Sequence, residues 1–421
     1  MKSDPYAAWR SRDYRLYSVS WFLITFSKQV ETVAVGINIY YRTGDPLALG
    51  WVGLVQALPV IFLAIAGGQI ADRFNRRIVL LFTLAASTIA GSGLLATSYF
   101  HGSVGWMYVF LGLGATAMAL GGPSRASILP QLVSAEIFAN AITWSTTIFH
   151  ISAMTGPAIG GLIMGMEDTA VAAFALVVML RMFSFIAMFF LHNRPQSTSA
   201  ETISLQSLLA GIRFVWRTKL ILAVITLDLF AVLLGGFTYL LPVFVKDILQ
   251  IDQSWVGFFR SSEAVGAVFM AMIIAHARPM KRAGVVLLWS VAGFGAATIV
   301  FGLSTLWWIS LVVMFLIGAL DNVSVVVRHT LVQMLTPDPM RGRVSAVNTV
   351  FIVASNDIGG VESGVTAWLF GPVISVVAGG VGTILVVIAS ALIWPQILTI
   401  GSLEDARPDE TYIIPTQAEK E

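Results

Sequence analysis

Nine ionisable side chains interrupt segments of this 421-residue sequence that are otherwise strongly apolar. Placing such a group at the centre of a lipid bilayer costs at least about 2.5–3.5 kcal/mol, so it persists only where it is paired, faces water or takes part in function. With six carboxylates and three bases, some of the acids need hydrogen-bond donors, water or a bound proton. Proton transfer and the binding of a polar group are the chemistry that these residues indicate. They are Lys28, Glu31, Arg181, Asp228, Arg260, Glu263, Asp321, Asp357 and Glu362.

Two pairs among these residues have the spacing of neighbours on one helix face. Lys28 precedes Glu31 by three residues, and Arg260 precedes Glu263 by the same interval. Each pair either neutralises itself or belongs to a polar site, and the spacing leaves both interpretations open. We expect Arg181 to pair with a carboxylate on another helix rather than to bind a ligand.

The composition indicates that the segments carrying these charges lie in lipid. Apolar residues make up 57% of the chain and charged residues 11%, whereas a soluble domain carries roughly 25% charged residues. So little charge cannot cover the surface of a protein of this size in water, and so many apolar residues exclude a disordered chain. The net charge of +2 does not indicate a nucleic-acid partner.

Several kinds of site are excluded by what the sequence lacks. The absence of cysteine excludes disulfides, thiolate metal sites and a cysteine nucleophile. No group of His and acidic residues has metal-binding spacing, and no Gly-rich loop ends in Lys-Ser or Lys-Thr to bind a phosphate chain. We therefore predict no metal, no cofactor and no ATP-driven motor, and no clustered catalytic set points to an enzyme.

Twelve segments are long and apolar enough to cross a bilayer, which takes about 20 helical residues. They are predicted to be helices because each is continuous and lacks the alternation of a barrel strand. Their approximate limits are 16–41, 49–71, 78–99, 105–124, 137–165, 170–191, 220–245, 254–277, 284–302, 306–327, 344–370 and 373–398.

The basic residues orient these spans. Twenty of the 25 Lys and Arg residues fall on one side of the predicted membrane, and only Arg42 and Lys246 fall on the other. Because loops rich in Lys and Arg stay in the cytoplasm, we expect both termini to be cytoplasmic, as an even number of spans requires. No small-residue cleavage site follows the first span, so we predict no removable signal peptide.

The longest loop divides the spans into two sets of six. We expect residues 1–192 and 220–400 to form one six-helix bundle each, with a cytoplasmic linker at 193–219 and a short cytoplasmic tail at 401–421. The linker begins with residues 195–199, which are typical of a flexible connection. Its second part has helical apolar spacing and is either an amphipathic helix on the membrane surface or a lead-in to the seventh span. Short similar stretches before spans five and eleven support an internal duplication.

The loop between spans two and three carries the most specific motif. Its sequence, from Gly68 to Arg77, reads Gly-Gln-Ile-Ala-Asp-Arg-Phe-Asn-Arg-Arg, and it resembles the loop signature Gly-x-x-x-Asp-Arg-x-Gly-Arg-Arg of the major facilitator superfamily. Asn75 replaces a glycine, which is a mild departure because Asn tolerates a left-handed backbone. The resemblance implies that Gly68 and the group Asp72, Arg73, Arg76 and Arg77 hold the cytoplasmic side closed against the start of span eleven.

Span five contains a second motif, Gly156-Pro157-Ala158-Ile159-Gly160-Gly161. It resembles the Gly-Pro-x-x-Gly-Gly signature of antiporters in the same superfamily, and so favours export. The upstream glycines of the full signature are absent. Helix packing through Gly156 and Gly160, with bending at Pro157, is therefore the alternative interpretation.

Further short stretches, including 32–36, 45–50 and 337–343, resemble the branch that contains enterobactin exporters and macrolide-efflux-type transporters. The likeness extends over about residues 10–400. It implies an all-α membrane protein with twelve transmembrane helices in two pseudo-symmetric six-helix bundles. In that fold, spans one, four, seven and ten line a central cavity.

Applied to this sequence, the resemblance nominates residues for two roles. The substrate-cavity candidates are Lys28, Gln29, Asn38, Asp228 and Asn322. The proton-coupling candidates are Glu31 and Asp321, followed by Asp357 and Glu362. Asp228 is eight residues from Lys219 and could instead be hydrated at the cytoplasmic interface.

We therefore predict a proton-coupled exporter in the bacterial inner membrane that acts by alternating access and functions as a monomer. Its partners would be protons, membrane lipid and a small amphipathic organic substrate, either a siderophore-like metabolite or a drug. The alternatives are an importer or lipid-type flippase of the same fold, or a non-transporting membrane sensor or enzyme built on a transporter scaffold.

Overall fold

The computed structural model describes residues 4–166, 170–192, 205–277 and 280–401. Residues 193–204 of the predicted linker (193–219) and residues 402–421 of the predicted tail (401–421) lie outside the described residues. The helices are α1 (Arg12–Thr43), α2 (Pro46–Arg73), α3 (Arg76–Tyr99), α4 (Val104–Leu132), α5 (Phe138–Met166), α6 (Val171–Phe189), α7 (Leu205–Arg217), α8 (Lys219–Gly235), α9 (Leu241–Val243), α10 (Trp255–His276), α11 (Ala283–Leu303), α12 (Trp307–Met334), α13 (Asp338–Phe370) and α14 (Pro372–Ile393).

The predicted all-α membrane fold is confirmed. Within the described residues, 11 spans are long and apolar enough to cross a membrane, one of them running from Lys219 to Ile248. The 32-residue helix α1 is not among the 11 because polar residues, including Lys28 and Glu31, lower its hydropathy. With α1 the spans number twelve.

The helix ends follow from local sequence signals. Gly44 ends α1 with a left-handed φ of 63°, and the Asp45 side chain starts α2 by accepting a hydrogen bond from the amide of Leu47 at 2.9 Å. Asn75 starts α3 in the same way, accepting from the amide of Arg77 at 3.0 Å. The short loops that result keep consecutive spans antiparallel.

The same packing pattern occurs twice. In the first half α1 packs on α5 and α6, and α3 packs on α4 and α6; in the second half α8 packs on α13 and α14, and α11 on α12 and α14. The two halves meet where α2 packs on α13 and α5 packs on α10. This repetition is what an internal duplication of six spans would produce.

The seventh span is broken near its middle. Helix α8 ends at Gly235, a 3₁₀ turn runs over Phe237–Leu240, and α9 continues into a π-helical turn at Phe244–Ile248. The Gly235-Gly236 pair and Pro242 account for the break, since neither residue type supports a continuous helix. The irregular backbone places Tyr239 and Asp247 at the junction of the two halves.

Helix α7 is a separate element and not a continuation of α8, from which Thr218 divides it. Phe214 and Val215 are buried against Val344 and Val347 at the start of α13, whereas Trp216 is 66% exposed. One face of α7 is therefore bound to the second half, and an apolar residue remains outside. This is the arrangement of an amphipathic surface helix.

Candidate functional site

A cleft lies between the two halves and is called the central cavity below; its space of about 450 Å³ includes open solvent. Its walls come from α1, α2 and α4 on one side and from the seventh span and α10 on the other. The lining residues are Lys28, Glu31, Thr32, Val33, Val35, Gly36, Leu49, Val52, Gln56, Leu111, Thr238, Tyr239, Pro242, Val256 and Arg260.

The first half contributes a buried ionic cluster to this cavity. Glu31, only 4% exposed, contacts Lys28 at 3.2 Å and Arg181 of α6 at 2.7 Å. Lys28 also donates a hydrogen bond to Gln56 at 2.8 Å. The predicted Lys28–Glu31 pair is thus present, but it belongs to a larger network and does not merely neutralise itself.

Arg181 has the partner on another helix that its sequence position suggested. Besides Glu31, it donates to the Ser87 carbonyl at 2.8 Å and lies 3.4 Å from Ser27 Oγ. Gly91 of α3 makes room for it, because a Cβ there would lie 3.2 Å from the guanidinium. Arg181 therefore joins α6 to α1 and α3, and it holds Glu31 at the cavity wall.

The second half contributes Tyr239 and Arg260 to the wall of the cavity. The Tyr239 hydroxyl donates a hydrogen bond to Asp357 at 2.8 Å, which links the broken seventh span to α13. Arg260 of α10 lines the central cavity. Arg260 and Glu263 make no direct ion pair in the described part of the chain, but the two charges interact through space along α10.

A second ionic cluster lies inside the second half. Arg328 of α12 contacts Asp228 of α8 at 3.2 Å and the side chain of Asn348 at 3.2 Å. Asp228 is 8% exposed, so it is not hydrated at the interface, the alternative considered from its sequence position. Asp228 and Asp321 together line a small cavity, whose space of about 240 Å³ includes open solvent.

The central cavity is closed towards the end of the molecule that carries Asp247. Tyr40 of α1 donates a short hydrogen bond to Asp247, and Lys246 lies over the ring of Tyr41, 4.6 Å from its centroid. The Gln253 side chain donates to the carbonyl of Met164 at the end of α5. These contacts join the two halves across one end of the cavity.

The span-five motif contributes to this closure from two faces. Gly156 and Gly160 lie against α1, where a Cβ on Gly156 would come within 2.6 Å of Gln29. Gly161 and Pro157 face Gly257 of α10, and a Cβ on Gly161 would lie 2.9 Å from the Gly257 Cα. The motif therefore permits close packing both within the first half and between the halves.

The loop motif at the opposite end lies on the first half. Arg76 donates to the Ser127 carbonyl at 3.0 Å, and Arg77 donates to the Phe189 carbonyl. Asn75 has φ −57°, so the expectation that Asn replaces glycine for a left-handed backbone is wrong; its side chain caps α3 instead. Gly68, Asp72 and Arg73 lie in the last turns of α2.

The remaining predicted residues lie outside the central cavity as defined above. Gln29 packs against Gly156, and Asn38 is buried beside Met107. Asn322 has a buried side-chain oxygen without a hydrogen bond in the described residues, and Glu362 lies 3.4 Å from the Ser363 hydroxyl. Gln56 was missed, although an amide within an apolar span was a visible signal.

The family follows from comparison with known sequences. The family profile described as "Transmembrane secretion effector" matches residues 4–413. The chain belongs to this family of the major facilitator superfamily. It is consequently a multi-pass membrane transporter and not an enzyme.

Curated relatives and solved structures agree with this assignment. The enterobactin exporter EntS of Shigella dysenteriae serotype 1 (strain Sd197) is 26% identical over 390 residues, covering 89% of each chain, and that of Escherichia coli O1:K1 / APEC gives the same values. The D-xylose-proton symporter has a TM-score of 0.70 at 14% identity, covering 91% of this chain and 97% of its own. A bacterial homologue of the human lysosomal transporter Spinster, inward-facing and occupied, has a TM-score of 0.69 at 13% identity, covering 94% and 96%.

Proposed function

We propose that this transporter exports a small amphipathic organic compound from the cytoplasm by alternating access, driven by protons. The observation that carries the proposal is the central cavity, in which charged and polar side chains of both halves face a mainly apolar wall. Such a mixture suits a substrate that has a polar group on an apolar body. The names of the curated relatives, which are exporters of a siderophore, support the outward direction.

Closure at the Asp247 end supports the alternating-access cycle. From the distribution of basic residues we propose that this end lies on the external side of the bacterial inner membrane and that both termini are cytoplasmic. The contacts of Tyr40 with Asp247 and of Gln253 with Met164 would then close the external side while substrate enters from the cytoplasm. Rocking of the two halves, residues 1–192 and 220–400, would exchange these contacts for those of the Asp72 loop.

Proton coupling requires a carboxylate that changes its protonation state during the cycle. Asp321 is the better candidate, because it is part of no ion pair in the described residues and lies beside Asp228. Protonation of Glu31 would leave Arg181 buried without the one anionic contact that it has among the described residues. Asp357 and Glu362 follow, as their contacts are with a hydroxyl group each.

The decisive experiment combines cells with inverted membrane vesicles. We expect a deletion strain to accumulate one compound in the cytosol and an overproducing strain to lose it. We further expect inverted vesicles that contain the protein to take up that compound when a proton gradient is imposed. Vesicles from the deletion strain are the control.

The outcome separates the alternatives. Depletion of a compound from the cytosol of the deletion strain would indicate import. A change confined to the lipid distribution between leaflets would indicate a flippase. No transported compound in either assay would contradict the proposal.

A further inference from the structure

We propose that the transported compound is an anion, and that Arg260 binds its charged group inside the central cavity. The inference deepens the proposed function and rests on it, because it names the chemical class of the substrate for that same cavity. Carboxylates, phosphates and acidic phenols share the required chemistry, which is an oxygen-centred negative charge attached to an apolar body.

Arg260 differs from Arg181 and Arg328, which also lie within the spans. Arg181 contacts Glu31, Ser27 and the Ser87 carbonyl, and Arg328 contacts Asp228 and Asn348. In the part of the chain that the structure describes, Arg260 has neither an ion pair nor a hydrogen bond. Glu263 and Tyr239 interact with its charge through space, but its N–H groups make no contact with a protein acceptor in the described residues.

The charge of Arg260 cannot be removed by releasing a proton, since a guanidinium group stays protonated in proteins. Glu263, one turn further along α10, interacts with this charge through space, but no ion pair or hydrogen bond joins the two in the described residues. The guanidinium N–H groups of Arg260 are therefore left for a group that enters the cavity.

The acids in and beside the cavity do not favour the opposite class of substrate. Glu31 is held between Lys28 and Arg181, and Asp357 accepts the hydrogen bond of Tyr239. Each carboxylate thus has a donor already, so a cationic substrate would have to displace one. An anion can bind Arg260 without displacing any protein contact.

The rest of the wall gives the shape of the substrate. Leu49, Val52, Leu111 and Val256 are apolar and lie in the same cavity as Arg260. An oxyanion is bound in two places by the planar guanidinium fork, which fixes its orientation. An aromatic or branched apolar body beside the anion would then be placed against these side chains.

The test compares an acid with the neutral amide of the same shape. Binding of 1-naphthoate and of 1-naphthamide to the purified full chain is measured by calorimetry, and the pair decanoate and decanamide is measured in parallel. In at least one pair the acid should bind about tenfold or more tightly than the amide, or about 1.4 kcal/mol. Arg260→Gln should abolish this preference, and Arg260→Lys should restore part of it.

Arg15→Gln is the matched control, because it removes an exposed cation far from the cavity. This variant should bind the acids and the amides as the unchanged protein does.

The proposal is overturned if neither pair shows a preference for the acid, or if Arg260→Gln keeps the preference while remaining folded by size-exclusion chromatography. Loss of export in cells with intact Arg260-dependent acid binding would instead count against the transport direction or the coupling. The two failures are therefore distinguishable.

Discussion

The two halves of the protein enclose ionic clusters of opposite net charge. In the first half one carboxylate, Glu31, forms ion pairs with two cations, Lys28 and Arg181. In the second half Arg328 contacts Asp228. Asp321 lines a small cavity together with Asp228 and has no ion pair of its own in the described residues. The first cluster thus has one positive charge in excess, and the second has one negative charge in excess.

This difference in net charge indicates which cluster can bind and release a proton. Removing the charge of Glu31 leaves two cations facing each other, and an arginine cannot release a proton to relieve the repulsion. Removing one negative charge from the second cluster leaves a balanced pair. The first cluster is therefore suited to hold helices and the cavity wall in place, and the second is suited to load and release a proton.

Glu31→Gln should produce the largest loss of stability among single changes in the two clusters. It leaves Arg181, only 2% exposed, without its anionic partner, and breaking a buried pair in this way costs about 3–5 kcal/mol. The free energy of unfolding, measured by SDS titration in mixed micelles, checks this prediction. Glu136→Gln, which removes an exposed acid, is the control. A double change of Glu31 to Gln and Arg181 to Met should recover part of the loss, and equal stability of Glu31→Gln and the control would contradict the comparison.

Arg328→Met should have an intermediate effect that depends on pH. It leaves Asp228 and Asp321 without a cation, which we expect to cost about 1–3 kcal/mol near pH 7.5. The cost should fall as the pH is lowered, because the carboxylates can then bind protons, whereas the cost of Glu31→Gln should not fall. Unfolding titrations of both variants at pH 7.5 and pH 5.5 test the contrast. The comparison fails if both costs respond to pH in the same way.

Asp321→Asn should have the smallest effect on stability and a selective effect on transport. No ion pair is broken in the described residues, so we expect a change of about 1 kcal/mol or less in the free energy of unfolding. Proton flux driven by substrate in proteoliposomes should nevertheless be lost, while substrate binding remains. Asp252→Asn, which removes an exposed acid at the closed end, serves as the control. Intact coupled flux in Asp321→Asn would exclude it as the proton carrier and move the assignment to Asp357 or Glu362.

The sequence predicted the spans well because each is decided locally. A run of about 20 apolar residues has few alternatives to a membrane helix, and the helix limits found lie within a few residues of those expected for most spans. The prediction for Asn75 is wrong because Asn is compatible with two local conformations. It tolerates a left-handed backbone and it is also a favourable N-cap residue, and in this protein it is the N-cap of α3.

Partners between distant residues were predicted less completely. That Arg181 needs a carboxylate on another helix follows from charge alone, but the choice of Glu31 does not. The pairing of Asp228 with Arg328 and the contact of Gln56 with Lys28 join residues on different helices. No spacing rule connects such positions, because the rotation of each helix about its own axis is decided by packing.

The sequence by itself determined that the chain is a twelve-span membrane protein, and it pointed to charges that need a reason to be in lipid. Each of these depends on composition over one segment. Only the tertiary structure decided which charges meet, that the two clusters have opposite net charge, and that Arg260 lines the central cavity without an ion pair or hydrogen bond in the described residues. Those features depend on the relative placement of helices far apart in the chain, where small residues such as Gly91 and Gly161 allow the close approach that brings particular side chains together.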